Sequence, residues 1–210
     1  MDPHFIFKEN FTFSQEDYDK CRAFANQANY SEYFRNRNQR DLEKCAKDSF
    51  QGKLGEICAY RLMQIYWPSI TAPDFTIYPS FQKSWNPDMM IGNIPVHVKC
   101  QGHRSASEFG ASWLFQWSNR NGRAGKDMIF VDESEDGWVV FVLLDEDNKH
   151  GFIKAIVIIS DLRKHDLFQL PFLNNKKKIK RAIYLDSDKC PSLTSCNLIN
   201  TLPREMINAI

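Results

Sequence analysis

The segment from residue 87 to residue 101 constrains the fold most, because it has the pattern of a tight β-hairpin. Gly92-Asn93 is a two-residue turn signal that separates one apolar run from the next. A two-residue turn pairs residue 91 with residue 94, and the same register carried outward sets Asp88 opposite His97. A bulge in the returning strand would shift this register by one residue. The sequence therefore predicts a hairpin in which Asp88 and His97 share a face.

The returning strand carries different side chains on its two faces. Alternation sends three apolar side chains to one face and three polar ones to the other: Val96, Val98 and Cys100 against His97, Lys99 and Gln101. Burying an unpaired ammonium group is costly, so Lys99 needs a negative partner. Asp88 is the nearest carboxylate in the hairpin, and we expect it to be that partner. Each residue also has a purely structural explanation, since Lys99 can reach water from an edge strand and Asp88 can begin a turn.

Residues 51–66 have the spacing of an amphipathic helix. The apolar stripe consists of Leu54, Ile57, Cys58, Leu62 and Ile65. Glu56 lies at the edge of this stripe, where its carboxylate can lean over whatever the helix packs against. A solvated helix flank is the structural alternative for this residue.

The order of these elements resembles the PD-(D/E)XK nuclease superfamily, the fold of many restriction enzymes and DNA repair nucleases. Gly55-Glu56 on the helix, Pro87-Asp88 before the hairpin and Lys99 on the strand carry the match. His97 departs from it, because the family pattern has Asp or Glu at this position. The resemblance covers residues 51–117, and the ordered set of motifs is more specific than any one of them.

The resemblance implies hydrolysis of phosphodiester bonds with Mg²⁺ or Mn²⁺ as the cofactor. The substrate would be DNA, with RNA not excluded. Asp88 would be the shared carboxylate ligand of the metal, and Glu56 a second one, direct or through water. Lys99 would hold the attacking water and offset charge on the phosphate, and Gln101 would help to complete the site.

The role of His97 stays open among four alternatives. A neutral imidazole is a candidate third metal ligand, which favours Mn²⁺ or a transition metal over Mg²⁺. His97 could instead act as a base, or leave the metal to Glu56 and the carbonyl of Val98. Finally, the substitution could mark a weakened or inactive nuclease.

Eight cations are candidates for contacts with the phosphate backbone of nucleic acid. Three lie in a Gly-rich segment and five in a basic cluster: Arg120, Arg123 and Lys126, then Lys176, Lys177, Lys178, Lys180 and Arg181. A solvated loop or a targeting signal is the alternative for the basic cluster. The net charge of +1 gives no overall preference for a polyanion, so binding would depend on these local patches.

Length and composition indicate one enzyme-sized domain. A chain of 210 residues with 43% hydrophobic content can bury a single core. The apolar runs are strand-sized and residues 1–8 lack the layout of a signal peptide, so we expect no membrane partner. Six scattered cysteines suit a reduced, cytoplasmic protein, here of a bacterial or phage-infected cell. Zinc bound by His97, Cys100 and His103 is disfavoured, because His97 and Cys100 point to opposite faces of a strand.

The whole pattern predicts an α/β domain of the restriction-endonuclease type, with a central mixed sheet of about five strands flanked by helices. Within this single domain we distinguish an N-terminal helical segment (1–50), the catalytic core motif (51–117) and a sheet extension with the C-terminal segment (118–210). Strands are predicted at 74–78, 127–131, 138–144, 151–159 and 182–185, and a polar loop at 102–110. Further helices are predicted from residue 14, at 112–116 and from residue 160.

Three functions fit these residues. The first is an endonuclease of restriction or phage type, which would need a homodimer to cut both strands because each chain has one site. The second is a catalytically impaired protein of the same fold that binds nucleic acid. The third is a structural or interaction module in which Lys99 and Asp88 form a structural ion pair.

Overall fold

The computed structural model describes residues 10–30, 41–78, 86–117, 127–130, 136–169, 171 and 180–199. The chain is a mixed α/β protein in which a five-stranded mixed sheet is flanked by helices, as predicted. In chain order the elements are β1 (Asn10–Thr12), α1 (Gln15–Tyr30), α2 (Leu42–Gln64), β2 (Met89–Ile91), β3 (Ile94–Gln101), α3 (His103–Phe109), β4 (Ser112–Gln116), a 3-10 helix (Met128–Phe130), β5 (Trp138–Leu144), β6 (His150–Ile158), α4 (Ile159–Lys164) and β7 (Lys180–Tyr184).

The five-stranded sheet has the order β1-β6-β5-β3-β2. Strand β3 runs parallel to β5, and the other neighbours are antiparallel. Helix α2 covers one face, where its Leu54, Ile57 and Leu62 are buried with Val96 of β3 and Val140 of β5. The helix with the predicted acid therefore lies directly on the strand with the predicted lysine.

The other face of the sheet is covered by helix α4 and by a two-stranded antiparallel ribbon formed by β4 and β7. Trp113 and Phe115 of this ribbon are buried together with Val139 and Phe141 of β5. The indole Nε1 of Trp113 donates a hydrogen bond to the carbonyl of Val142 at 3.0 Å, which ties the ribbon to the sheet. Side chains of β3 that point away from α2 consequently face the ribbon.

The hairpin has the predicted register, with Ile91 opposite Ile94 and Met89 opposite Val96. Gly92 has a φ of +57°, a conformation that glycine adopts without steric cost. The pairing is regular over these residues, so no bulge moves the polar face.

Two of the predicted elements near the ribbon are wrong. Residues 112–116 form strand β4 and not a helix, because they pair with β7 and bury alternate side chains, Trp113 and Phe115. Residues 127–130 form a 3-10 turn and not a strand, since the N–H of Phe130 donates to the carbonyl of Asp127 at 3.0 Å.

Two further predictions are corrected. Residues 102–110 contain the short helix α3 where a loop is predicted. Residues 74–78 are not a strand, because the carboxylate of Asp74 accepts local hydrogen bonds from the N–H of Thr76 and the hydroxyl of Tyr78. These local hydrogen bonds form a turn where the sequence predicts the hydrogen bonds of a β-sheet.

The remaining predicted elements are confirmed. Helix α1 starts after Ser14, whose N–H and hydroxyl both donate to the carboxylate of Asp17, and β5, β6, α4 and β7 form at the expected places. Helix α2 begins at Leu42 and joins the end of the predicted N-terminal helical segment to the predicted helix at 51–66; the side chain of Asp41 caps it through the N–H of Lys44. Among the described residues no helix is long and apolar enough to cross a membrane.

Candidate functional site

Asp88 lies just before β2, at the open end of the hairpin. Its Oδ2 accepts a hydrogen bond from the backbone N–H of Val98 at 2.7 Å. Because the ladder N–H groups of a strand point along the sheet towards the neighbouring strand, this bond holds the carboxylate near the sheet plane, between the two faces. From there its charge acts both on Glu56 of α2 and on His97 of β3.

Helix α2 brings Glu56 to the same place, and Gly55 is the reason that it can come so close. A Cβ at Gly55 would lie 2.5 Å from the Cβ of Cys100, so this turn of the helix rests directly on β3. The side chain of Glu56 is 12% exposed and pairs with the ammonium group of Lys53 at 2.7 Å. Burial, followed by the negative charge of Asp88, raises the pKa of Glu56 to about 8 against the opposing charge of Lys53. At neutral pH Glu56 is therefore mostly protonated.

Lys99 has a carboxylate partner, but that partner is Asp127, so the predicted pairing with Asp88 is wrong. The Nζ of Lys99 lies 2.6 Å from Oδ2 of Asp127, and the two side chains are 23% and 18% exposed. Asp88 is turned instead to the N–H of Val98. The ammonium group of Lys99 also lies 5.0 Å from the centre of the Phe115 ring, a cation–π contact. Lys99 is thus held from the ribbon side of the sheet.

His97 is 8% exposed and lies on the ribbon face, next to Val139 of β5. Burial lowers the pKa of His97 and the charge of Lys99 acts in the same direction, while the carboxylate of Asp88 opposes the shift. The imidazole is therefore neutral at pH 7. It adds no negative charge at the position where the family pattern has a carboxylate.

Gln101 makes several hydrogen bonds that join β3 to the start of β4. Its Oε1 accepts from the N–H of Ser112 at 2.8 Å, and its Nε2 donates to the carbonyl of Gly110 at 3.1 Å and to the hydroxyl of Ser105 at 3.3 Å. These bonds engage both ends of the amide. In this arrangement Gln101 supports the ribbon behind Lys99.

Asp127 is the residue of the site that the sequence analysis missed. It follows a polar, Gly-rich segment and precedes a short apolar run, a setting in which an acid is usually the first residue of a turn. Its backbone N–H donates to the carbonyl of Gln116 at 2.8 Å, so it lies at the end of β4. That bond brings the carboxylate to Lys99, which the chain order does not reveal.

Two of the predicted phosphate-binding cations lie in the ribbon, at the start of β7 and opposite the end of β4 that precedes Asp127. Lys180 is opposite Gln116 in the ribbon, and Arg181 is the next residue. The guanidinium group of Arg181 lies 4.6 Å from the centre of the Trp117 ring. The other six, Arg120, Arg123, Lys126, Lys176, Lys177 and Lys178, lie outside the described residues.

Asp88 and Glu56 suit a hard divalent cation that keeps most of its waters. Mg²⁺ is typically bound by one or two carboxylates together with waters and substrate phosphates. Across the described part of the chain, no group of three or more His, Cys, Asp or Glu side chains is placed to hold a metal ion. The donor set therefore fits a site with two carboxylates better than one with His97 as a third protein ligand.

Searches with the whole chain match no protein-family model, no curated protein and no solved structure. The resemblance to the PD-(D/E)XK superfamily thus depends on the residues themselves. It stays a prediction.

Proposed function

We propose that this chain is a metal-dependent endonuclease of restriction-endonuclease-like fold, which hydrolyses phosphodiester bonds in DNA with Mg²⁺ or Mn²⁺. The observation that carries the proposal is that α2 rests directly on β3 at Gly55, which brings Glu56 close enough for the charge of Asp88, bound to the same strand, to act on it. Lys99 lies on β3 one residue beyond Val98, whose N–H holds Asp88. Two acids that can bind a metal and a lysine on the neighbouring strand are the groups that hydrolysis of a phosphodiester needs.

Each residue of the proposed site would have a separate role in this hydrolysis. A metal held by Asp88 and Glu56 would stabilise negative charge on the phosphate. Glu56 loses its proton when it joins such a site, so its contribution to binding increases as the pH rises towards 8. Lys99 donates hydrogen bonds to the attacking water or to a phosphate oxygen, and neutral His97 can accept the proton of that water.

The substrate class is supported by the charges near the site. Lys180 and Arg181 lie at the end of the ribbon that holds Asp127, where a phosphate backbone approaching Lys99 would meet them. Cutting both strands of a duplex would require a homodimer, because the proposed site occurs once per chain.

The test is cleavage of supercoiled plasmid DNA in Mg²⁺, in Mn²⁺ and in EDTA. The natural chain is compared with Lys99→Ala and with Lys149→Ala, a matched control that removes the lysine of an exposed ion pair in the turn between β5 and β6. We expect the natural chain and the control to cut only with a divalent metal, and Lys99→Ala to cut about 10²-fold more slowly or not at all. Equal cutting by all three chains would refute the proposed site.

One observation favours the non-catalytic alternatives. Lys99 already has a close ion-pair partner in Asp127, which is what a structural lysine would have. In that case no chain cuts DNA, and Lys99→Ala lowers the free energy of unfolding by about 3–5 kcal/mol, since it leaves a carboxylate unpaired in a mostly buried place. A His97→Asp variant that cuts while the natural chain does not would identify an impaired nuclease.

A further inference from the structure

His97 leaves β3 with no carboxylate beside Lys99, and Asp127 provides one from the turn that follows β4. The carboxylate of Asp127 is 2.6 Å from the ammonium group of Lys99. Its charge also acts on the imidazole of His97. Asp127 therefore supplies a carboxylate beside Lys99 on the ribbon face, in addition to the two acids of the proposed metal site, Asp88 and Glu56.

Asp127 is held in place independently of β3. Its N–H donates to the carbonyl of Gln116, and its own carbonyl accepts from the N–H of Phe130. Between these residues Ile129 is fully buried, and its carbonyl accepts a hydrogen bond from Nη2 of Arg163 at 2.8 Å. A short turn fixed by three hydrogen bonds and one buried side chain gives its first residue a defined position.

Lys99 needs such a partner if its ammonium group is to stay in one place. A lysine has a flexible four-carbon stem and a point charge with rotatable donors, so it does not orient itself. The ammonium group lies 5.0 Å from the centre of the Phe115 ring, which attracts the charge but does not fix its direction. The carboxylate of Asp127 supplies the directional contact.

We propose that Asp127 is the positioning residue of Lys99, a role that the neutral imidazole of His97 on the same strand does not fill. The inference rests on the proposed function of the site. Asp127 acts through the ammonium group of Lys99 and contacts neither the metal nor the phosphate. A carboxylate introduced at position 97 would lie two residues from Lys99 on the same face of β3, so it could hold the same ammonium group.

The experiment compares the natural chain with Asp127→Ala, with the double variant His97→Asp/Asp127→Ala and with Lys99→Ala. For each chain we would measure kcat and KM on a labelled DNA duplex with Mn²⁺, the affinity for Mn²⁺ by calorimetry, and the melting temperature. We expect Asp127→Ala to lower kcat by about 10²-fold, the size of effect that misplacement of a catalytic group produces. KM and the affinity for Mn²⁺ should stay within about threefold, and the double variant should recover at least about tenfold in kcat.

Should Asp127→Ala fail to fold, Asp127→Asn takes its place, because it keeps the size and the local turn and removes only the charge. A kcat within about twofold of the natural value, while Lys99→Ala is inactive, would overturn the inference and leave the proposed function standing. A parallel loss of Mn²⁺ affinity, or no recovery in the double variant, would also overturn it. A natural chain that does not cut DNA at all would refute both proposals together.

Discussion

Gly55 and Gly52, two glycines in the same helix, should respond in opposite ways to replacement by alanine. Both lie in α2, where alanine is favoured over glycine by about 1 kcal/mol in a helix interior. A Cβ at Gly52 would meet no atom within 4 Å, whereas a Cβ at Gly55 would lie 2.5 Å from Cβ and 2.8 Å from Sγ of Cys100. The Cβ of Cys100 is attached to the backbone of a central strand, so it cannot move aside without moving the sheet.

The expected magnitudes follow from these contacts. Gly52→Ala should raise the free energy of unfolding by about 0.5–1 kcal/mol. In Gly55→Ala an overpacking cost of about 3 kcal/mol exceeds the helix gain of about 1 kcal/mol, which leaves a net loss of about 2 kcal/mol. For a chain of 210 residues that loss corresponds to a melting temperature lower by about 4–8 °C.

Urea denaturation and thermal melting of the two variants test the reasoning. A third chain, Gly55→Ala/Cys100→Gly, removes the atom that the new methyl group meets. Its free energy of unfolding should be higher, by about 1 kcal/mol or more, than the sum of the two single substitutions predicts. The reasoning is refuted if Gly55→Ala is as stable as Gly52→Ala. In that case α2 does not depend on a glycine to approach β3.

Two other predictions concern Glu56 and Trp113. The free energy of unfolding of the natural chain should fall relative to Glu56→Gln as the pH rises from 4.5 to about 8, because the unfolded chain ionises Glu56 in this range and the folded chain keeps the proton. Melting of both chains in EDTA across this pH range measures the difference between their free energies of unfolding. A difference that does not change with pH would contradict the prediction. Trp113→Phe should lower the free energy of unfolding by about 1–3 kcal/mol, because the buried carbonyl of Val142 loses its hydrogen-bond donor. Urea denaturation measures this loss, and an unchanged midpoint of the urea transition would contradict the prediction.

The hairpin and α2 could be predicted from the sequence because their signals are local. Gly92-Asn93 determines the turn, the turn determines the register, and the register puts His97 and Lys99 on one face. The apolar stripe of α2 likewise determines which side of the helix is buried, and with it the position of Glu56. Each of these inferences needs only residues within a few positions of one another.

Strand β4 could not be predicted in the same way. A run of five residues with three large apolar side chains is compatible with a buried helix turn or with a short strand, and period alone does not decide between them at this length. Its partner β7 lies far along the chain, and the pairing of Trp113 with Ile183 is what makes it a strand. The same pairing places Lys180 opposite Gln116, so the surroundings of the site depend on a contact between distant segments.

The partner of Lys99 shows why a motif can be found and its site still be incomplete. A lysine on an apolar strand indicates that a carboxylate is near, and Asp88 is the nearest one along the hairpin. In the structure Asp88 does not pair with Lys99, because the N–H of Val98 lies beyond the end of β2 and donates to the Asp88 carboxylate. Lys99 then needs another acid on its own face of the sheet, the face that the ribbon covers, and the turn that follows β4 brings Asp127 to it. The proposed site is therefore built from a local hairpin and a distant turn, and a substitution at Asp127 should affect Lys99 more than it affects the acids that would bind the metal.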